Sequence, residues 1–575
     1  MLKIDSRKST SNNGYSIFLS GEELDEVRDL FTDMPHVSSP FYLEFSPLKF
    51  DDVCDVLCDY ELTSDRADIR KKITQHKVPI MVPNPSPVYP KFKLQPHKHQ
   101  VEAVKYGLAH PRFLLGDVMG LGKTGSTIYI AEILKAVYGF KHALIICGVN
   151  GAKFNRHQIE IPKFSYEKSH SIGGRVNRNG NFVIDPVPQR VSDIQADHDE
   201  FYLIINIESL RNKDVVEALK TRVVRGDIGI VIIDEIHNCS GYNSAQGKAI
   251  HHLRTKFRIG LTGTPVHNKP LDIYNIIKWL GYEYRNFETF RAEYCIEVPK
   301  TTVVNGSIVS FCEYVYKDLK MLHDKLKSFM LRRTIEVLHL PTPVFKDEYV
   351  ELDKEQLKLY NKIKEDILNA SRYDGLLTAS EVSANPGVQF AKARQAVSCP
   401  IVFGVHQDAK LERVKEIAKE ALEDGRSIVL FAWFNATINH YSSVLRNEFG
   451  DSVLVVSEDT RNAQDVITKF QTSDKPMILI GTIGKLGTSY TITRADIVIF
   501  VDKNVMWSQY EQAYMRVWRQ GQTKTVVILN IMAKDTVDER LDYLIALGKS
   551  HANQIVDGIR DEEYIEKKYR MEDFL

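Results

Sequence analysis

A chain of 575 residues carrying 75 basic and 75 acidic side chains has a formal net charge of zero. That excludes bulk attraction to a polyanion, so any nucleic-acid contact needs a local basic face. Apolar, charged and aromatic fractions of 43%, 26% and 10% are those of a globular protein, with length for several cores. The seven scattered cysteines fit reduced thiols in a cytosol-like compartment rather than a disulfide framework. No run approaches the ~18 apolar residues of a membrane span. The opening MLKIDSRKSTSNNGYS lacks the apolar core of a signal peptide.

Residues 1–90 read as a small α+β domain closed by VPNPSPVYP, a linker whose prolines hold it extended. Cys54 and Cys58 lie one helical turn apart there. With no second pair or nearby histidine to complete a zinc site, both are assigned to the core face of one helix. Between 91 and 280, short apolar runs at 113–116, 143–147, 202–207, 229–233 and 258–261 alternate with helical patterns. Near-continuous β-branched runs between helices predict a parallel sheet covered on both faces. Residues 281–345, with the charged amphipathic KDLKMLHDKLKSFMLRR, are expected to be helical material between lobes. A second set of runs at 428–431, 453–456, 477–480, 497–501 and 526–530 falls in a second lobe, 346–545. A helical tail, 546–575, follows. The expected class is α/β, with a duplicated nucleotide-binding architecture.

Four segments carry chemistry. Gly116-Asp-Val-Met-Gly-Leu-Gly-Lys-Thr124 follows a strand and opens a helix, the context of a phosphate-binding loop. Gly120 and Gly122 let backbone amides curl around phosphates, and the helix N-terminus adds positive potential. Lys123 can reach the β- and γ-phosphates, and the Thr124 hydroxyl can bind Mg2+. The strict pattern would place glycine at 117, where Asp117 stands. Asp234-Glu-Ile-His237 ends the strand IGIVII. Carboxylates there are costly without partners. Asp234 can hold Mg2+, and Glu235 can orient and deprotonate an attacking water. Leu261-Thr-Gly-Thr-Pro265 follows another strand, and its hydroxyls can couple the nucleotide state to movement. Finally, Gln512-Ala-Tyr-Met-Arg516-Val-Trp-Arg519-Gln-Gly-Gln522 places Arg516 and Arg519 three apart, on one helical face. From the second lobe they can serve as arginine fingers to ATP held by the first, an effect worth roughly 10³–10⁵-fold elsewhere.

In this order the segments resemble Swi/Snf-type ATPases of helicase superfamily two, over about residues 90 to 545. Asp117-Val-Met-Gly-Leu-Gly-Lys-Thr124 resembles the family's D-E-M-G-L-G-K-T, with Val118 for glutamate. Leu94-Gln-Pro-His97 and Gln100 resemble the adenine-recognising element. LIINIESLR resembles a strand-and-turn element near DNA, LTGTPVHN with Asn268 the third motif, and FMLRRTIEVLHLPTP the segment joining the lobes. The fifth motif reads KLGTSYTITRAD, with Ser489 where glycine is usual, and NVMWSQYEQ with a shifted Trp507 replaces a double-tryptophan loop. Those departures suggest a compact microbial or viral member.

The resemblance implies two RecA-like lobes and an ATPase using ATP and Mg2+. Gln100, Asp117, Met119, Gly120, Leu121, Gly122, Lys123, Thr124, Gly487 and Gln512 would bind ATP. Lys123, Asp234, Glu235, Arg516 and Arg519 would carry catalysis, and Thr124 and Asp234 the metal. Lys153, Asn155, Ser209, Asn435 and Thr482 would touch a DNA strand, mostly through its backbone. The expected place is intracellular: cytoplasmic or nucleoid-associated, or in a host's cytoplasm if viral.

Three functions compete. The first is a duplex translocase remodelling forks or crossovers in replication, recombination or repair. It draws on a faint likeness of FYLEFSPLKFDDVCDVLCDYEL and VPIMVP to the small domain of fork-remodelling members, which an unrelated capping domain explains slightly better. The second is a strand-separating helicase. The third is a motor displacing DNA-bound proteins or driving a transcription or restriction complex.

Overall fold

The computed structural model describes residues 2–558, except 10–14, 32–33, 35, 58–59, 61, 77–80, 149–159, 177–181, 267–268, 305–306, 373–385, 459, 461–462 and 488–489. It divides into two compact units. The first takes Met1–Val266, Pro270–Tyr294 and Asp318–Thr334; the second takes His267–Lys269, Cys295–Lys317 and Ile335–Leu575.

The first unit begins with a sheet of β1 (Leu2–Lys8), β2 (Tyr15–Gly21), β3 (Val37–Ser39), β4 (Tyr42–Phe45) and β5 (Leu62–Thr63), in the order β3-β4-β2-β1-β5. Helices Phe50–Val56 and Ala67–His76 close its core with Phe50, Val53, Ile69 and Ile73. Cys54 is fully buried in that core, as its helical position predicted. Cys58 lies outside the described residues. The proline-rich stretch carries neither helix nor strand, and Asn84 N–H donates to the Val137 carbonyl at 2.6 Å.

The large sheet of this unit is parallel throughout. Its strands are β6 (Arg112–Leu115), β7 (His142–Cys147), β8 (Ser169–Ser171), β11 (Tyr202–Asn206), β12 (Ile228–Asp234), β13 (Phe257–Leu261) and β16 (Met330–Leu331). Their order is β16-β6-β13-β12-β7-β11-β8. A small hairpin, β9 (Gly174–Val176) and β10 (Phe182–Ile184), follows β8. The central strands are buried along their length, which is why they read as unbroken apolar runs.

The N-terminal sheet is tied to this lobe by charge. Arg258 of β13, fully buried, donates from Nη2 to Asp55 Oδ2 at 2.7 Å. Arg112 Nη1 lies 3.4 Å from the same oxygen, and Arg254 Nη1 donates to Asp52 Oδ1 at 3.0 Å. Burial alone would raise the Asp55 carboxyl. The guanidiniums of Arg258, Arg254 and Arg112 instead hold it below its ordinary value.

The second unit holds a six-stranded parallel sheet: β17 (Val344–Val350), β18 (Ile428–Ala432), β19 (Val453–Val456), β20 (Ile478–Thr482), β21 (Ile497–Phe500) and β22 (Val527–Ala533). The order is β17-β22-β21-β18-β20-β19. The two sheets, each covered by helices, are the tandem RecA-like lobes expected. The helix Val537–Ala552 crosses the expected start of the C-terminal tail, whose residues from 559 lie outside those described.

Residues 281–345 are not one helical body. They contain an antiparallel hairpin, β14 (Cys295–Val304) and β15 (Ser307–Tyr316), with Val304 opposite Ser307. The signal was present: Asn305-Gly306 between β-branched runs favours a two-residue hairpin loop. The amphipathic stretch does form a helix, Leu319–Lys327, but β16 then joins the first sheet beside β6.

Candidate nucleotide site and its family

Strands β6, β13 and β12 are neighbours and parallel, so the segments that follow them emerge at one sheet edge. Ligands of open α/β sheets gather at that edge.

After β6, Gly120 and Gly122 adopt φ of 92° and 72°, which glycine takes without strain. A Cβ on Gly122 would crowd the Gln100 amide at 2.9 Å, on a backbone whose positive φ already disfavours one. Lys123 opens the helix Lys123–Tyr138, and its Nζ donates to the Asp117 carbonyl at 2.8 Å. Burial lowers the Lys123 ammonium, while the carboxylates of Glu235, Asp117 and Asp234 pull it back up and Arg332 pushes it further down. The Lys123 ammonium thus lies in the field of three carboxylates. Thr124 is partly buried; Met119 and Leu121 form the buried side of the loop. Gln100 is 3% exposed. Its Oε1 accepts from His97 N at 2.9 Å, capping the helix Lys98–Ala109, and its Nε2 donates to Gly122 O at 3.3 Å. It braces the loop from beneath.

Asp234 ends β12. Glu235 takes φ of 50°, left-handed backbone that costs a non-glycine residue about 1–3 kcal/mol. Its Oε2 is buried and has no hydrogen-bond partner among the described residues. After β13, Thr262 Oγ1 accepts from Thr264 N at 3.0 Å and meets His237 Nδ1 at 3.0 Å. His237 Nδ1 is also 3.4 Å from Glu235 Oε2. The acidic pair and the threonine turn are therefore one connected structure. A buried carboxylate oxygen without a donor is expensive. Together with the Thr124 hydroxyl and Asp234, it is a donor set that suits a hydrated Mg2+ and a reacting water.

Two contributors were not assigned roles from the sequence. Arg332 Nη1 donates to Gly116 O at 2.7 Å and Gly263 O at 2.9 Å, joining the phosphate loop to the threonine turn. Arg333 pairs with Asp117, Nε to Oδ1 at 2.9 Å. The fully buried Asp117 carboxylate is thus spent on an arginine, so its part in nucleotide binding is that of a support. Met-Leu-Arg-Arg had stood out only as a family likeness. An Arg pair directly after a two-residue apolar strand was its local signal.

In the second unit the expected arginine helix ends early. The helix is Trp507–Tyr514, and Arg516 and Arg519 sit in the turn beyond it. There Arg516 N–H bonds to Ala513 O at 3.2 Å and Val517 N–H to Tyr514 O at 3.0 Å, tightening the chain out of α geometry. Their three-residue spacing therefore does not set a shared helical face. Both still turn to one loop. Arg516 Nε donates to Gly487 O at 2.8 Å and Arg519 Nη1 to Tyr490 O at 3.3 Å. Gly487 has no room for a side chain, since a Cβ would sit 2.3 Å from Ile483 O. Gln512 is 8% exposed on the helix before them.

The strand-contact set fares differently. Lys153 and Asn155 lie outside the described residues, as do the third-motif Asn268 and the fifth-motif Ser489. Ser209 is buried, accepting from Arg190 Nη1 at 2.6 Å and donating to Asn206. Thr482 is buried too, and its Oγ1 accepts from Lys485 N at 3.3 Å. Neither hydroxyl faces solvent, a correction to both assignments. Asn435 is exposed at the start of the helix Asn435–Phe449.

Comparison with known proteins places the chain in a family. The SNF2-related domain family matches residues 99–394, and the helicase conserved C-terminal domain matches residues 409–521. The chain is 28% identical over 465 residues to an uncharacterized ATP-dependent helicase, MG018, of Mycoplasma genitalium, covering 77% of this chain and 40% of that protein. It is 22% identical over 553 residues to the DNA repair and recombination protein RAD54-like of Gallus gallus, covering 86% and 71%. A solved SWI2/SNF2 ATPase core of Sulfolobus solfataricus in complex with dsDNA aligns over 82% of this chain and 95% of its own, at 22% identity and a TM-score of 0.36. The chain spans less than half of the Mycoplasma protein. With the first match alone covering just over half of its residues, the chain belongs to the SNF2-related domain family of superfamily two.

Proposed function

We propose that the chain is an ATP-dependent motor that moves along duplex DNA and acts on branched DNA in replication, recombination or repair. The observation that carries the motor reading is the convergence of Lys123, Asp234 and Glu235 on one sheet edge, with a buried Glu235 oxygen left unbonded. Lys123 neutralises phosphate charge, and the amides of Gly120 and Gly122 cradle it. Glu235 takes a proton from the attacking water. Thr124 and Asp234 would hold Mg2+, which would supply charge neutralisation at the phosphates. Arg516 and Arg519, carried by the second unit, supply the fingers. The branched-DNA part leans on the N-terminal domain's likeness and on the recombination role in the name of the chicken relative.

ATP turnover measured without DNA, and with single-stranded, duplex and forked DNA of equal length, tests this. Stimulation is expected in the order forked, duplex, single-stranded, falling steeply with salt. Equal or greater stimulation by single strands would favour a strand-separating helicase. Duplex and fork acting alike would remove the branched-DNA part while leaving the motor.

A further inference from the structure

The outer edge of the first sheet carries a group of side chains that nucleotide chemistry does not use. His170 lies on β8, the edge strand. Asp193 lies on the helix Val187–Gln195, and His198 in the segment leading to β11. His170 Nε2 is 2.9 Å and 3.0 Å from the two carboxylate oxygens of Asp193. His198 Nε2 is 3.6 Å from Asp193 Oδ1. One ligand atom from each residue falls within 4.8 Å of the others.

We propose that His170, Asp193 and His198 form a binding site for one divalent transition cation of the zinc class. Zinc bonds to imidazole nitrogen and carboxylate oxygen are about 2.0–2.2 Å, so tetrahedral ligand atoms stand roughly 3.3 Å apart. The separations of His170 and His198 from the Asp193 carboxylate bracket that value. The donor set, two imidazoles and one carboxylate, selects zinc-class ions over Mg2+ and leaves positions for water. Supporting contacts are in place. The Gly173 N–H donates to Asp193 Oδ2 at 2.7 Å, fixing the carboxylate. Gly173 has φ of 61°, and a Cβ there would lie 2.1 Å from Arg190 Cγ, so this amide comes from a position only glycine can fill. The His198 side chain is 8% exposed. Its Nε2 donates to the Asp193 carbonyl at 2.7 Å, a hydrogen bond that zinc binding would replace. Binding through Nε2 moves the ring proton to Nδ1, which faces Glu200 Oε2 at 3.9 Å.

The site would clip three separate chain segments to the sheet edge. The same helix presents Arg190, one turn before Asp193, to Ser209 in the turn after β11. Occupancy would therefore fix that turn as well.

The test uses the full chain, stripped with chelator and dialysed, then titrated with zinc chloride, with magnesium chloride as control. Wild type is expected to take one tight equivalent of zinc and to melt at a higher temperature when loaded. His170→Gln, Asp193→Asn and His198→Gln should each weaken that equivalent about tenfold or more. Cobalt substitution should give visible ligand-field bands without a thiolate charge-transfer band. No zinc binding by wild type, or unchanged affinity in His170→Gln and Asp193→Asn, would overturn the proposal. So would a thiolate band, which would place the ion on cysteine. Circular dichroism of each variant separates lost binding from lost folding.

Discussion

Lys123 and Glu235 share one electrostatic neighbourhood but have separable duties. Lys123→Ala is expected to abolish turnover and weaken ATP binding, because it removes the phosphate-facing charge. Glu235→Gln should abolish turnover while keeping nucleotide affinity, since only the proton acceptor is lost. Phosphate release and nucleotide binding, measured separately, check both; normal turnover in Glu235→Gln would sink the assignment. Arg516 and Arg519 were read from spacing alone as equivalent, and their surroundings now divide them. Arg516 is 8% exposed and bonded to Gly487 O, so Arg516→Ala should lower both turnover and the melting point of the second unit. Arg519 is less buried and its bond is longer, so Arg519→Ala should lower turnover with little effect on melting. Lysine should rescue Arg519 poorly, lacking the planar fork. Wild-type turnover in both alanine variants would remove the fingers. Motif residues such as Lys123 were legible because their chemistry is fixed by local pattern. Arg332, whose two acceptors lie 216 and 69 residues away, was not, because sequence order hides such a meeting.

Among elements, all ten strands expected in the two lobes are present, each end within three residues of its expected place. Burial on both faces writes itself into sequence as an unbroken run. Three of the four edge strands escape that rule: Ser169–Ser171 and Met330–Leu331 are too short to show a pattern, and Val344–Val350 is largely exposed. Helices carry a different liability in Asp408. It caps the helix Ala409–Glu423 by accepting from Leu411 N at 3.0 Å, yet its Oδ2 is buried without a partner among the described residues. Burial pushes its carboxyl up to about 7. A carboxyl raised in the folded state favours folding while protonated. Its contribution is full below the unfolded value, ~3.9, and is lost as pH rises toward 7. Asp408→Asn keeps an acceptor and cannot ionise. The variant should be more stable than wild type at pH 8, by about 1 kcal/mol or more, and flatter between pH 4 and 7. Denaturant midpoints across that range check this; parallel profiles would refute it.

At the scale of the whole chain, the N-terminal sheet and the first parallel sheet share one compact unit. Composition and periodicity showed two textures there, and a joint made by a few distant charges leaves no periodic trace. Asp55→Ala would leave Arg258 dry and unpaired, costing about 3–5 kcal/mol. Replacing both by apolar residues, Asp55→Leu with Arg258→Met, should recover most of that. Asp55 also has the opposite pH sign to Asp408. Its carboxyl is depressed on folding, so the joint is at full strength above ~3.9 and fails only as pH drops through the depressed value. Melting of the single and double variants against pH checks the pair; a double variant no better than Asp55→Ala would deny it.

Arg258 stands three residues before Leu261, where β13 gives way to the threonine turn beside Glu235. The chain's natural seam is therefore not where its prolines fall. A graft that exchanged residues 1–90 for the corresponding domain of a relative would bring a foreign socket to a native plug. The mismatch would be felt at the threonine turn beside Glu235. Asp55 and Arg258, separated by 203 positions, would have to be exchanged together for such a graft to keep its joint.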